Sequence, residues 1–133
     1  MKVITVQQPF ASLIAAGIKE YEFRSWKTAC RGELLIHAGK SVNKHAMEKY
    51  AADGLTFPTG VILARVTLAD CIPVDDAFRE LLREKNLRVY GHIIRSTDWK
   101  GYAFRLENVR KVEPVAVNGR LGLWEYDGEI REL

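Results

Sequence analysis

The stretch Gly17-Ile18-Lys19-Glu20-Tyr21-Glu22-Phe23-Arg24-Ser25-Trp26 decides how the chain is read. Just before it, residues 9–16 form an apolar run. Phe10, Leu13 and Ile14 fall on one face at helical spacing and alanines fill most of the rest, the pattern of a short, largely buried helix. Gly17 stands where such a helix ends on a left-handed residue. After it the period switches from helical to alternating, with Tyr21 and Phe23 pointing one way and Glu20, Glu22 and Arg24 the other. Lys19, Glu20, Glu22 and Arg24 thus crowd a helix-to-strand corner that apolar sequence flanks. A plain exposed strand edge accounts for Glu20. It does not account for an apolar helix that delivers the chain into a carboxylate, two cations and a tryptophan.

Outward from this corner the chain reads as many short strands and few helices. Val3-Ile4-Thr5-Val6 is a β-rich run that Gln7-Gln8-Pro9 stops, and Pro9 suits the first turn of the following helix. Gln8, beside the helix's positive end, reads equally as a cap and as a ligand contact. Residues 20–25 and 32–38 are strands, the latter with Leu34, Ile36 and Ala38 on one face and Glu33, Leu35 and His37 on the other. Residues 26–31 are too few for another element and are expected to form a hairpin connection. An amphipathic helix is expected over 42–52, with Ser41 as cap and Gly54 just past its end. The run 61–69 has the near-continuous hydrophobicity of a central strand covered on both faces. Its one charge, Arg65, needs a partner, and Glu22 or Glu33 would supply it. Pro73 ends that strand, and residues 75–84 form a charged helix with Phe78, Leu81 and Leu82 on its apolar side. Residues 86–98 fit either a helix or a covered loop. Tyr102, Phe104 and Leu106 alternate with Ala103, Arg105 and Glu107, residues 109–117 continue the β pattern, Asn118-Gly119 signals a turn, and 122–126 close the chain as a strand.

At 133 residues the chain is expected to be one domain, residues 1–133, burying about two-thirds of its unfolded surface. Twenty Lys and Arg against 17 Asp and Glu give a net charge of +3, compatible with a polyanionic partner only if the binding surface is local. Cys30 and Cys71 show no metal spacing and suit reduced thiols. No stretch has signal or membrane-spanning length, which reads as a cytoplasmic protein without a membrane partner. The sequence does not speak to oligomeric state. The overall pattern is α+β with a curved or closed sheet, one early helix and two peripheral ones.

Gly17, Lys19, Glu22 and Arg24 also compose a G-x-K-x-x-E-x-R run that resembles the signature of ASCH domains, the activating-signal-cointegrator homology domains of the PUA-like superfamily. Gln8-Pro9-Phe10-Ala11-Ser12-Leu13 is similar to the family's Q-P-W-A-S-L motif, with Phe10 in place of tryptophan. Arg24-Ser25-Trp26, Thr28 and Arg31-Gly32 resemble its R-S-W-x-T-x-x-R-G continuation, and Phe57-Pro58-Thr59-Gly60-Val61 its Y-P-S-G-x loop. The resemblance is close over residues 3–73 and looser beyond, through Trp99, Phe104 and Gly122-Leu123-Trp124. It implies a PUA-like small mixed β-barrel with an early buried helix and peripheral helices.

The chemistry of the corner is that of mixed charge beside aromatic surface. An Arg–Glu pair in a partly desolvated pocket fixes a carboxylate to accept from a base amino group, while Lys19 and Arg24 meet a phosphate or a carbonyl. Trp26, Phe57 and Trp99 are available to stack a base. The expected ligand-binding set is Gln8, Pro9, Lys19, Glu22, Arg24, Ser25, Trp26, Arg31 and Phe57, and the expected partner is RNA or a nucleotide or nucleoside. Trp124 and His37 read as structural residues, His45 and His92 as surface ones. A second reading is catalytic. Some bacterial ASCH proteins remove the acyl group from N4-acylated cytosine nucleosides with a lysine, a threonine three residues later and a distant glutamate. Here the lysine is Lys19, but the threonine position is Glu22 and the distant carboxylate has no clear counterpart. Lys19 and Glu22 could instead form the acid–base pair of a ribonuclease. A third reading makes the corner purely architectural, within a protein-interaction module. No Walker loop, Rossmann glycine pattern, nucleophile elbow or spaced metal-ligand set is present, so no cofactor or metal is expected.

Overall fold

Six strands and three helices make up the computed structural model, which describes all 133 residues. In chain order they are β1 (Lys2–Gln8), α1 (Phe10–Ala15), β2 (Tyr21–Arg24), β3 (Gly32–Val42), α2 (Lys44–Tyr50), β4 (Val61–Pro73), α3 (Asp76–Arg95), β5 (Tyr102–Ala116) and β6 (Leu123–Glu125). The strands form one mixed sheet in the order β2-β5-β4-β3-β1-β6, antiparallel except where β1 runs parallel to β3. β4 is central, as its apolar run requires. The order is open, with β2 and β6 as end strands, so backbone pairing does not make the closure that a barrel needs. No helix is long and apolar enough to cross a membrane.

The period-two faces of β3 explain the layering. Leu34, Ile36 and Ala38 join Ile4, Val6, Val66, Leu68 and Phe104 in the main core, which α1 covers with Ala11 and Ile14. Leu35 on the opposite face packs with Val3, Ile62, Val112 and Trp124. A third cluster lies where α3 covers the β2 end of the sheet, built from Tyr21, Phe78, Leu82, Tyr90, Ile94 and Ala103. Arg65 finds its partner in Glu33, Nε to Oε2 at 2.6 Å, rather than in Glu22.

Several local expectations are overturned. Residues 26–31 are not a hairpin, because β2 and β3 are separated in the sheet by β5 and β4. Asn118-Gly119 likewise joins strands that do not pair, since β6 lies beside β1. Val42 ends β3, and Asn43, not Ser41, caps α2 by accepting from the Ala46 amide at 3.0 Å. Of residues 86–98, which the sequence left open, those up to Arg95 supply the second half of α3. Asn86 breaks the helix with φ −166° and its side chain caps the resumed helix at the Val89 amide. Leu81, expected on the apolar side, is 42% exposed, while Val89, Tyr90, Ile93 and Ile94 are buried.

Arg79 on α3 is buried yet pairs only weakly with a carboxylate, Asp76 at 3.4 Å. Its guanidinium instead donates to the carbonyls of Ile93 (3.3 Å), Ser96 (3.1 Å) and Trp99 (2.6 Å), tying the bent helix to the segment after it. An orphaned buried carbonyl costs about 1–3 kcal/mol. Arg79→Met is therefore expected to lower unfolding free energy in urea by about 2–4 kcal/mol, with Glu80→Ala on the exposed face of the same helix staying within about 0.5 kcal/mol. Equal effects of the two substitutions would remove this role for Arg79.

Candidate functional site

The end of α1 sets the corner. Gly17 takes φ +76°, a conformation cheap only for glycine, and lets the Ile18 and Lys19 amides both return to the Leu13 carbonyl, at 2.9 and 3.1 Å. The Glu20 amide then donates to the Tyr90 hydroxyl at 2.7 Å, which pins the start of β2 against α3. From there β2 pairs with β5 alone. On the other side of the molecule's open sheet, β6 pairs with β1 only at Lys2, Val3 and Ile4, so Thr5 to Gln8 have no strand along that edge. A cleft of about 640 Å³ opens between these two unpaired edges.

Glu22 organises its floor. The carboxylate accepts from Lys19 Nζ through Oε1 at 3.3 Å and from Arg24 Nε and Nη2 through Oε2 at 3.1 and 2.8 Å. Arg24 Nη2 also donates to the Thr5 carbonyl at 2.6 Å, so this one side chain reaches from β2 to β1 across the cleft. Arg24 Nη1 has no protein partner, and the side chain keeps 23% of its surface exposed. Lys19 is only 2% exposed. It donates to the Tyr21 carbonyl and to Glu22, and its ammonium lies 4.7 Å from the centre of the Phe23 ring. Burial pushes its pKa down, Glu22 opposes that, and Arg24 adds to it. Between the lowered folded value and the ordinary 10.5 the unfolded chain holds more protons, so Lys19 makes stability rise with pH across that window.

Aromatic rings form the walls. Trp26 stands edge-on to Phe104 with centroids 5.2 Å apart, and Trp99 edge-on to Phe23 at 6.5 Å; both tryptophans are half-buried and line the cleft. His92, from the second half of α3, stacks on Phe10 at 6.2 Å and meets Phe23 edge-on at 6.2 Å. No group of three or more His, Cys, Asp or Glu side chains converges anywhere as a metal site.

Of the residues singled out from sequence, Lys19, Glu22, Arg24, Ser25 and Trp26 come together in the cleft lining. Gln8, Pro9, Arg31 and Phe57 do not. Gln8 is fully buried behind α1. It accepts from the Ser12 amide at 3.0 Å and donates to Ser12 Oγ and the Pro58 carbonyl, each at 2.8 Å. Pro9 caps α1. Arg31 donates to the carbonyls of Thr28 and Cys30 and pairs with Asp70 at 3.6 Å, and Phe57 is half-buried in the loop before β4. Sequence reasoning missed Phe10, Thr5, Gly39 and Ser41 as lining residues; His92 is exposed, as expected, and also lines the cleft. Phe10 had a signal in its motif; His92 had none, because the break at Asn86 hides the periodicity around it. His37 and Trp124 are structural, as expected. His37 Nε2 donates to the Val117 carbonyl at 2.7 Å, and the Thr5 hydroxyl, 3.2 Å from His37 Nδ1, accepts from Trp124 Nε1 at 3.0 Å.

The imidazole of His92 is held below its ordinary pKa of 6.5, first by burial and then by the positive charges of Lys19, Lys49 and Arg95, with Glu22 opposing. Its NMR titration midpoint is accordingly expected below 6.5 and should move upward in Lys19→Met. A midpoint that stays put or falls in that variant would place Lys19 and His92 in separate environments.

The ASCH domain family profile matches residues 4–116. Across 97% of its length the chain is 28% identical to activating signal cointegrator 1 of Homo sapiens and 27% identical to that of Mus musculus, and it spans 23% of the length of each. The crystal structure of ASCH from Zymomonas mobilis superposes on 88% of this chain, with 72% of that chain, a TM-score of 0.54 and 21% identity. A mutant of the same protein gives a TM-score of 0.57 at 19% identity, over 87% of this chain and 73% of that one. At such identities the likeness concerns the fold. With its profile match covering most of the sequence and the same mixed α+β architecture, the chain belongs to the ASCH domain family.

Proposed function

We propose that the cleft binds RNA, or a nucleotide presented singly, by stacking a base against Trp26 and Trp99 while Arg24 meets its negative charge and Lys19, buried beneath, holds Glu22 in place. The observation that carries this reading is the state of Arg24. Two of its nitrogens are fixed on Glu22 and Thr5, and the third is free at the mouth of a cleft whose three charged groups, Lys19, Glu22 and Arg24, sum to one positive charge. Such a donor is held without rotamer freedom and suits a phosphate or base carbonyl. The Glu22 carboxylate is held for an amino group, as on cytosine or adenine. Ser25 completes the direct contacts, while Gln8 and Pro9 act through the start of α1, and Arg31 and Phe57 through the loops that flank the sheet. On the same footing the sheet is a PUA-like barrel left open at one seam, where the Arg24–Thr5 contact stands in for strand pairing.

A hydrolytic role is the second reading, favoured by one fact: Lys19 lies in the cleft lining with its ammonium pKa lowered by burial, as a general base requires. Against it, the Lys19 donors are already engaged by Tyr21, Glu22 and the face of Phe23. Turnover of N4-acetylcytidine that disappears in Lys19→Ala would favour it over simple binding.

Titration with single-stranded RNA and with mononucleotides is expected to quench tryptophan fluorescence saturably. Removing the stacking face in Trp26→Ala should weaken binding by about 1–3 kcal/mol, roughly 5- to 150-fold in Kd. Absence of quenching by both ligand classes in the unsubstituted protein would reject the nucleotide reading.

A further inference from the structure

The cleft does not end at its own rim. A second hollow of about 410 Å³ adjoins it and shares Thr5, Gly39 and Ser41 with it, so the two form one trough across β1 and β3. Its outer wall is the segment between β5 and β6, and that segment is anchored. His37 Nε2 donates to the Val117 carbonyl at 2.7 Å, and two residues on the chain lies directly on the strands because position 119 has no side chain. A Cβ on Gly119 would come within 2.8 Å of Thr5 Oγ1 and 2.9 Å of His37 Cε1. Gly39 plays the same part at the junction, where a Cβ would press on Thr5 Cγ2 at 3.0 Å. The wall so fixed presents Asn118 and Arg120 opposite Lys40 of β3.

Charge distinguishes this hollow. Its lining includes Lys40 and Arg120 and no carboxylate. Both cations are exposed and take part in no ion pair, whereas most of the acidic side chains are already paired elsewhere. The trough thus adds two uncompensated positive charges next to a cleft with one. A free nucleoside has nothing for them to meet. A strand carries, beside each base, a phosphate for them to meet.

We infer that the ligand class of this site is a polynucleotide strand rather than a free nucleoside, with the phosphate next to the bound base held between Lys40 and Arg120. This rests on the nucleotide reading of the cleft. The test compares a nucleoside with a short single-stranded RNA, in the unsubstituted protein and in the Lys40→Ala/Arg120→Ala double variant, at salt concentrations from about 50 to 200 mM. The double variant should weaken RNA binding by about tenfold and lower its log–log salt slope by about 0.7, the contribution of the one single-strand phosphate contact removed. Its nucleoside affinity, with no phosphate to lose, should change by less than about twofold. Lys111→Ala, which removes one positive charge on β5 outside the trough, is the control and should leave the slope unchanged. If the double variant keeps the RNA affinity and salt slope while the nucleoside still binds, the strand inference fails and the cleft stands. If neither ligand binds the unsubstituted protein, both fall together.

Discussion

One carboxylate between two cations holds the site in shape. Glu22 offers one oxygen to Lys19 and the other to Arg24, and Arg24 carries the contact on to the Thr5 carbonyl of β1. Desolvating buried ions costs several kcal/mol each, and mutual attraction offsets this only when the geometry is good. The cluster is therefore a poor source of net stability and a good means of fixing position. Truncating Glu22 would leave Lys19, 2% exposed, without a counter-ion, and would release Arg24 from the seam. The third reading, an architectural corner, and the ligand-binding reading are thus not alternatives in physical terms. The same pairs that hold β2 near β1 also aim the free Arg24 nitrogen.

The rest of the fold supplies walls for that cluster. α1 fills the main core and hands the chain to Lys19 at Gly17. α3 covers the β2 end of the sheet, presents His92 to the cleft and pins β2 through Tyr90. Arg79 extends this buttress, since its guanidinium holds the carbonyl of Trp99, whose ring faces the same cleft. Rigid elements placed behind a site keep its geometry at less entropic cost than loops alone would.

What the sequence disclosed follows from how local its signals are. The helix-to-strand switch at Gly17, the two faces of β3, the centrality of β4 and the need of Arg65 for a carboxylate, Glu22 or Glu33, all rest on period or on a charge needing a partner; the structure makes it Glu33. Lys19, Glu22, Arg24, Ser25 and Trp26 could be grouped because they are contiguous. Strand order could not be read in this way. Successive strands pair only about two-thirds of the time, and here neither the β2–β3 nor the β5–β6 connection is a hairpin. Nor does composition tell a cleft glutamine from a buried one, and Gln8 proves to hold the start of α1 and the Pro58 loop together. The resemblance to ASCH domains supplied the family, while the pairing of unpaired edges that makes the cleft had to come from coordinates.

The most direct test of the Glu22-centred account is a double-mutant cycle in urea unfolding across Glu22→Gln, Arg24→Gln and the pair together. A shared buried contact predicts a coupling of about 1.5 kcal/mol or more, with the double variant less destabilised than the sum of the singles. Additivity to within about 0.5 kcal/mol would contradict it, because Glu22 and Arg24 would then be holding the seam independently or not at all.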